Sequence, residues 1–364
     1  MKRIVFFVPC EDMQASSRYR VYHFLPYLGD EFDFQVLPLM SNEDYVYFKS
    51  AGKMKLALKL PFMYLKRISE INRIDKDALV FIHRDVVPFG PMFLEKKLSK
   101  RGNKIILDLD DAVFVDETSE ISRGNGLLYK LKYGKRFDTT IRLADHILCG
   151  NSFLEKHCNL YNNKTTIFPT LIDTNKIKAK EEYINDIDKL QIVWIGNPGN
   201  TSYIYTVLDG LNKVITNHNI ANCTLLLIGA SYEIEKESSN YNFNIVVKDW
   251  NIATEYDEIR SSDFGIMPLF DTDWSRGKCA LKALQYYAGG IPVLASNVGT
   301  NKDVVVSEKN GFLVDGDDWE KGFESMINNY DRFEEMGRFA RKYLEEEYSI
   351  NANIDTLKNI LREV

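Results

Sequence analysis

A chain of 364 residues exceeds the usual size of one domain, so two domains are expected. Its 45% hydrophobic and 12% aromatic residues can fill two cores, and a net charge of −6 speaks against general nucleic-acid binding. The five cysteines (Cys10, Cys149, Cys158, Cys223, Cys279) include no C-x-x-C pair, which points to a reducing compartment and away from structural zinc.

The opening M-K-R-I-V-F-F-V-P-C-E-D turns polar too soon for a signal peptide, and no run approaches the ~20 apolar residues of a membrane span. A cytoplasmic protein is therefore expected. Ile4 to Val8 reads as a buried strand, Val21 to Leu28 as a helix and Phe32 to Leu37 as a second strand. Such a first βαβ unit favours a doubly wound parallel sheet, whose ligands sit at the carboxyl ends of the strands. Arg18 and Arg20, in the loop there, are placed to meet a phosphate or carboxylate, or else are solvated first-turn residues. Lys49 to Arg73 is a basic amphipathic segment that Pro61 should bend or split. It suits either an anionic lipid surface or the side of its own domain.

Leu79 to Ile82 is a third strand, ending in His83-Arg84-Asp85. Lys104 to Leu107 is a fourth, running into Asp108-Leu109-Asp110-Asp111. Three carboxylates in four residues repel one another. A metal, sugar hydroxyls or a capped turn would each account for them, and no His or Cys cluster accompanies them for a metal. His83, at the same sheet edge, is either a satisfied polar residue or a catalyst. Asp116 to Asn125 is polar and reads as a mobile loop. Tyr129 to Ala144 is expected to be a helix and His146 to Cys149 a strand. Residues 173–189, rich in Lys, Glu and Asp, read as the linker between a domain over 1–172 and one over 190–345, and 346–364 as a terminal helix that packs back on the first domain.

The pattern then restarts. Leu190 to Ile195 is a strand closing on Gly196-Asn197-Pro198-Gly199-Asn200, a glycine-rich loop before the helix Ile204 to Thr216. Strands follow at Thr224 to Ile228, Ile245 to Val247 and Phe264 to Pro268. Trp250 follows the second of these, placed to contact a base or to pack in the core. Arg276 to Gly299 combines an apolar-faced helix, a Gly289-Gly290 corner and the buried strand Ile291 to Ala295. Asp271, Asp273 or Ser275 is expected to cap that helix. With Arg276, Lys278 and Lys282 around it, its N-terminus is an anion site or an ordinary αβ corner. Two doubly wound units would leave a cleft suited to a dinucleotide-like or nucleotide-sugar ligand rather than a macromolecule.

The pieces I-V-W-I-G-N-P-G, S-S-D-F-G-I-M-P-L, K-A-L-Q-Y-Y-A-G-G-I-P-V-L-A-S-N-V-G and N-G-F-L-V, with A-D-H-I-L-C-G-N-S-F-L and F-P-T-L-I-D-T before them, resemble the GT-B glycosyltransferases of the family 4 (group 1) retaining type. The resemblance covers most of the chain. It implies an α/β fold of two Rossmann-like domains facing across a cleft, and retaining transfer from a nucleotide-sugar donor without a metal. It places the donor's diphosphate over the helix starting near Gly277. Two glutamates eight positions apart mark that helix in the family; here Gly277 and Gln285 hold their places. A glutamine still hydrogen-bonds a ribose hydroxyl.

The Arg and Lys that the family often carries after the first strands of its second domain are absent from the Gly196 to Tyr203 loop. That work is assigned to Lys278 and Lys282, with Arg276 secondary. Gly196, Asn197, Trp250 and Gln285 complete the expected donor site, Arg18 and Arg20 lie on the acceptor side, and His83, Asp110 and Asp111 are the expected catalytic groups. The expected acceptor is a glycan or a lipid-linked sugar in surface polysaccharide or glycoconjugate synthesis, with membrane contact through residues 49–73. A catalytically weak scaffold or regulatory subunit and a GT-B nucleotide-sugar epimerase are the alternatives.

Overall fold

The computed structural model describes residues 1–51, 53–88, 90–115, 134–183 and 186–364. It divides into two units. The first comprises Met1–Leu171, Gly277–Cys279 and Asn353–Val364, and the second Ile172–Arg276 and Ala280–Ala352. The polar stretch Asp116 to Asn125 and residues 129–133 of the helix expected over Tyr129 to Ala144 lie outside the described residues. The described part of that helix is Arg136–Leu143.

The first unit is a six-stranded parallel sheet. Its strands are β1 (Lys2–Cys10), β2 (Phe32–Met40), β3 (Leu79–His83), β4 (Ile105–Leu109), β5 (His146–Cys149) and β6 (Thr165–Ile167), in the order β2-β1-β3-β4-β5-β6. Ile4 to Val8 is buried throughout, as a strand covered on both faces must be. Phe6 and Phe81 are register-paired with their rings 5.0 Å apart. The strand order reverses between β1 and β3, so the loops after these strands diverge to opposite faces and leave a crevice at their carboxyl ends.

Two local expectations give way here. Val21 to Leu28 is no single helix: a π-type turn spans Arg18–Tyr22 and a 3₁₀ turn Leu25–Tyr27, because Pro26 lacks the N–H that a continuing helix needs. Pro61, in contrast, does not split its segment, and one helix runs Lys53–Arg73. Met63, Arg67, Ile71 and Ile74 bury one side of it against the unit, and that packing outweighs the hydrogen bond lost at the proline.

The second unit repeats the architecture with β7 (Gln191–Ile195), β8 (Thr224–Ile228), β9 (Asn244–Lys248), β10 (Phe264–Met267), β11 (Val293–Ser296) and β12 (Gly311–Val314), all parallel, in the order β12-β11-β10-β7-β8-β9. Trp194, Leu225, Leu227, Phe264 and Leu294 pack with Trp319 and Phe323 in one core. The switch point falls between β7 and β10. The described part of residues 173–189 lies in this unit, tied by Lys180 N to Gly289 O at 2.8 Å and Tyr183 Oη to Gly290 O at 2.5 Å. The last helix, Ile350–Glu363, places Lys358 and Arg362 on Glu31 of the first unit at 2.9 and 3.1 Å.

Candidate functional site

At the switch point of the first unit, the ends of β1, β3 and β4 bring together a chain of charged side chains. His83, the last residue of β3, is fully buried, with Nδ1 2.7 Å from Asp108 Oδ2 and Nε2 2.6 Å from Ser16 Oγ. Ser16, in the helical turn after β1, also donates to Asp110 Oδ2 at 2.6 Å. One hydroxyl hydrogen cannot serve both neighbours. All three contacts are satisfied when His83 donates through both ring nitrogens, Ser16 accepts from it, and Ser16 donates to the Asp110 carboxylate.

Arg84 supplies the countercharge. It sits at φ 64°, a left-handed conformation uncommon outside glycine, and aims Nε at Asp110 Oδ1 (2.6 Å) and Nη2 at Asp111 Oδ2. Burial would raise the Asp110 carboxyl, but Arg84 and then His83 draw it well below the ordinary carboxylate range. Asp111 moves the other way. Burial raises it and the negative Asp110 adds to this, while Arg84 and Lys278 oppose.

The crowded carboxylates after β4 are thus held by arginines. Among the described residues no group of three or more His, Cys, Asp or Glu is set to hold a metal ion. Asp108 shared the signal of three crowded carboxylates but was not among the expected catalytic groups, and Ser16, in the turn after β1, had no sequence signal. Arg84 was visible beside His83, but nothing local shows the unusual backbone that turns it toward Asp110.

The carboxylate that Arg20 meets is the chain's own. Its guanidinium is buried, binds both oxygens of Asp108 and donates to Phe168 O at 2.8 Å. Arg18 is buried as well, with Nη1 on Asp12 O at 3.0 Å and the guanidinium 5.0 Å from the Tyr19 ring. Burial corrects the solvated first-turn reading of both residues. They are interior because the turn after β1 folds back across the sheet end.

In the second unit the loop after β7 begins at Gly196, whose N–H donates to Ile228 O at 2.9 Å. A Cβ there would fall inside the Trp194 ring, so this position takes only glycine. Asn197 is exposed before a 3₁₀ turn, Pro198–Asn200. Trp250 leans on Gly229, and its indole N–H is spent on Glu255 Oε2 at 2.7 Å.

The helix of the central stretch starts late. A separate turn, Asp273–Arg276, precedes it, and the helix runs Leu281–Gly289 from Ala280 at φ 52°. The expected caps do not form. Asp271 and Asp273 bind Arg276 instead, at 2.8 and 3.1 Å, so the Arg276 charge is already matched by two carboxylates. Lys278 belongs with the first unit, where its carbonyl accepts from Asn151 Nδ2 at 3.1 Å. Lys282 is in the first turn of the helix, with Nζ 5.8 Å from the centre of the Trp194 ring. Gln285 is buried one turn on. The first-turn N–H groups of this helix have no intrahelical carbonyl, and with Lys282 they form a cationic tip beside the switch point.

Known proteins point the same way. Residues 189–330 match the family model described as glycosyl transferases group 1. A D-inositol 3-phosphate glycosyltransferase of Paenarthrobacter aurescens is 35% identical over 89 residues, which is 24% of this chain and 21% of that protein. Through residues 189–330 the chain is similar to the group 1 glycosyltransferases.

A likeness of fold extends along the whole chain. Sucrose-phosphate synthase of Thermosynechococcus elongatus superposes with a TM-score of 0.72 at 14% identity, covering 100% of this chain and 99% of that one. Anabaena HepE in complex with UDP-glucose gives 0.68 at 11% identity, covering 100% of both. A Rickettsia africae glycosyltransferase gives 0.66 at 15%, covering 100% and 98%. These likenesses establish the GT-B fold for this chain. The matched stretch spans about a fifth of the inositol-phosphate enzyme.

Proposed function

We propose that this chain is a group 1 glycosyltransferase that moves a hexose, with retention, from a nucleotide-diphosphate sugar to a glycan or lipid-linked acceptor in surface polysaccharide or glycoconjugate synthesis, without a metal. The observation that carries the reading is the cationic helix tip at Lys282, on the residues that match the family and next to a loop that only Gly196 permits. HepE, of the same fold, has been crystallised with UDP-glucose. In the proposed reaction the bond from the anomeric carbon to the diphosphate oxygen breaks, and negative charge gathers on the leaving diphosphate. Lys282 and the first-turn N–H groups are arranged to stabilise that charge, with Lys278 as a second cation. Gly196, Asn197, Gln285 and the Trp250 ring would hold the nucleoside.

In the first unit Ser16 is the partly exposed end of the buried His83–Asp108 pair, so it is the group of this chain that a sugar hydroxyl would meet. Arg84 keeps Asp110 ionised beside it. A thermal-shift screen of UDP- and GDP-sugars, followed by product analysis with candidate acceptors, tests the proposal, since a ligand that binds the folded state raises the midpoint. No shift with any nucleotide-sugar would remove it.

One observation favours the alternative of a catalytically weak scaffold. Gly277 stands where the family has its first glutamate, and a Cβ at 277 would lie 2.8 Å from Ala112 N and closer still to its Cβ. The backbone therefore admits no larger residue, and that glutamate's contact with the donor is lost. Donor binding without turnover on any acceptor would decide for the scaffold.

A further inference from the structure

The helix Lys53–Arg73 has its apolar residues on two sides. Met63, Arg67, Ile71 and Ile74 face the unit, and Arg67 is wholly buried, donating to Val8 O, Leu37 O and Val86 O at 3.1, 2.9 and 3.0 Å. Leu58, Phe62 and Leu65, at i, i+4 and i+7, are 73%, 70% and 62% exposed. From Phe62 to Arg67 the helix turns about 140°, so the second apolar stripe points away from the core. Single exposed apolar residues are ordinary, but three large ones aligned on one helix face are not.

The neighbouring helix, Asn42–Ala51, adds half-exposed Val46 and Tyr47, and the Lys59 to Asp44 ion pair at 2.8 Å ties the two helices together. Lys59 and Lys66, three before and four after Phe62, run along one edge of the stripe and are about half exposed. The helix as a whole carries six cations (Lys53, Lys55, Lys59, Lys66, Arg67, Arg73) against Glu70 alone, in a chain whose net charge is −6.

We infer that this face is a docking surface for an anionic lipid bilayer, with Leu58, Phe62 and Leu65 entering the acyl boundary and Lys59 and Arg73 at the headgroups, while Lys66 is held by Pro38 O and Leu39 O at 2.7 and 3.2 Å. An apolar stripe edged by cations is what an interfacial helix needs. A second copy of the chain is the poorer occupant, because pairing this face with itself would set like charges together. The inference rests on the proposed function only in making a lipid-linked acceptor the natural one; bilayer binding itself needs no sugar transfer. Among the described residues no helix is long and apolar enough to cross a membrane, so contact is from one side.

The test is co-sedimentation of the full chain with vesicles of phosphatidylcholine, alone and with phosphatidylglycerol added. Wild type should sediment with the anionic vesicles and less so as salt rises. The L58S/F62S/L65S variant should lose at least tenfold in partition and keep the wild-type thermal midpoint and response to nucleotide-sugars. A second variant, K59Q/R73Q, should weaken binding to the anionic vesicles alone. The inference fails if wild type stays in solution with both vesicle types. It fails equally if L58S/F62S/L65S binds as wild type does, or if wild type is a dimer that this variant turns into a monomer. A retained nucleotide-sugar shift in a chain that ignores vesicles would sink the docking surface and leave the proposed function standing.

Discussion

Ser16 Oγ lies 2.6 Å from His83 Nε2 and equally far from Asp110 Oδ2, joining residues that are 67 and 94 positions away in the chain. This hydroxyl is where the buried charges of the first unit reach the surface. Replacing it with Ser16→Ala removes the acceptor for His83 and the donor for Asp110 while leaving the side chains beneath in place. Turnover on the donor found by screening should fall by about a hundredfold or more, in the range of a lost proton-handling group. The thermal shift produced by the donor should persist, and the pH–rate profile should change. Unaltered turnover would show that Ser16 only fills space.

Asp108 pairs with the buried Arg20 guanidinium and accepts a hydrogen bond from His83 Nδ1. Asp108→Ala leaves the Arg20 charge buried without its partner, which costs on the order of 3–5 kcal/mol. Urea unfolding should show a large fall in the midpoint. A loss within error would mean that water or another carboxylate reaches Arg20.

Glu95 is buried beneath the loop after β3, with Oε1 accepting from Val86 N at 3.1 Å. Burial, reinforced by Asp85, pushes its carboxyl from 4.5 up to about 7, against the pull of the Val86 N–H and Arg136. The folded value is raised, so the stability gained by keeping it protonated is complete below 4.5 and is lost as the pH rises through about 7. Glu95→Gln stays neutral and still accepts from Val86. Its unfolding free energy should match wild type in acid and exceed it above neutrality, by up to roughly 3 kcal/mol. A difference that does not grow with pH would refute this account.

Gly196→Ala puts a methyl into the ring of Trp194, which is itself buried in the second core. Either the loop or the ring must move, at about 1–3 kcal/mol. The nucleotide-sugar dissociation constant should rise about tenfold or more by calorimetry. Lys282→Ala should also weaken the donor by about tenfold without touching stability, since it removes one charge-assisted contact with the diphosphate. Equal affinity in both variants would move the donor off this loop and helix.

The strands and their grouping were legible because buried parallel strands write themselves as apolar runs and glycines mark where they end. Ile4 to Val8, Leu190 to Ile195 and Ile291 to Ala295 show this, as do the two restarting βαβ patterns. The family resemblance and its departures at Gly277 and Gln285 were equally plain, being matters of order and spacing.

Which charge meets which was not legible. Arg20 and Asp108 are 88 positions apart, and no local rule says that their partners are each other. On sequence alone the aspartates at the end of β4 admit a metal, sugar hydroxyls or a capped turn, whereas the structure sets Arg84, turned by a left-handed backbone, between Asp110 and Asp111. Nor could the pattern of Lys53–Arg73 tell its inner apolar side from its outer one, since both repeat at the helical period. The sequence by itself determined the elements, because hydrophobic burial follows local periodicity. Only the tertiary structure decided the pairings of charge and the outward face of that helix, because these depend on which distant residues the closed sheet brings within a few ångströms.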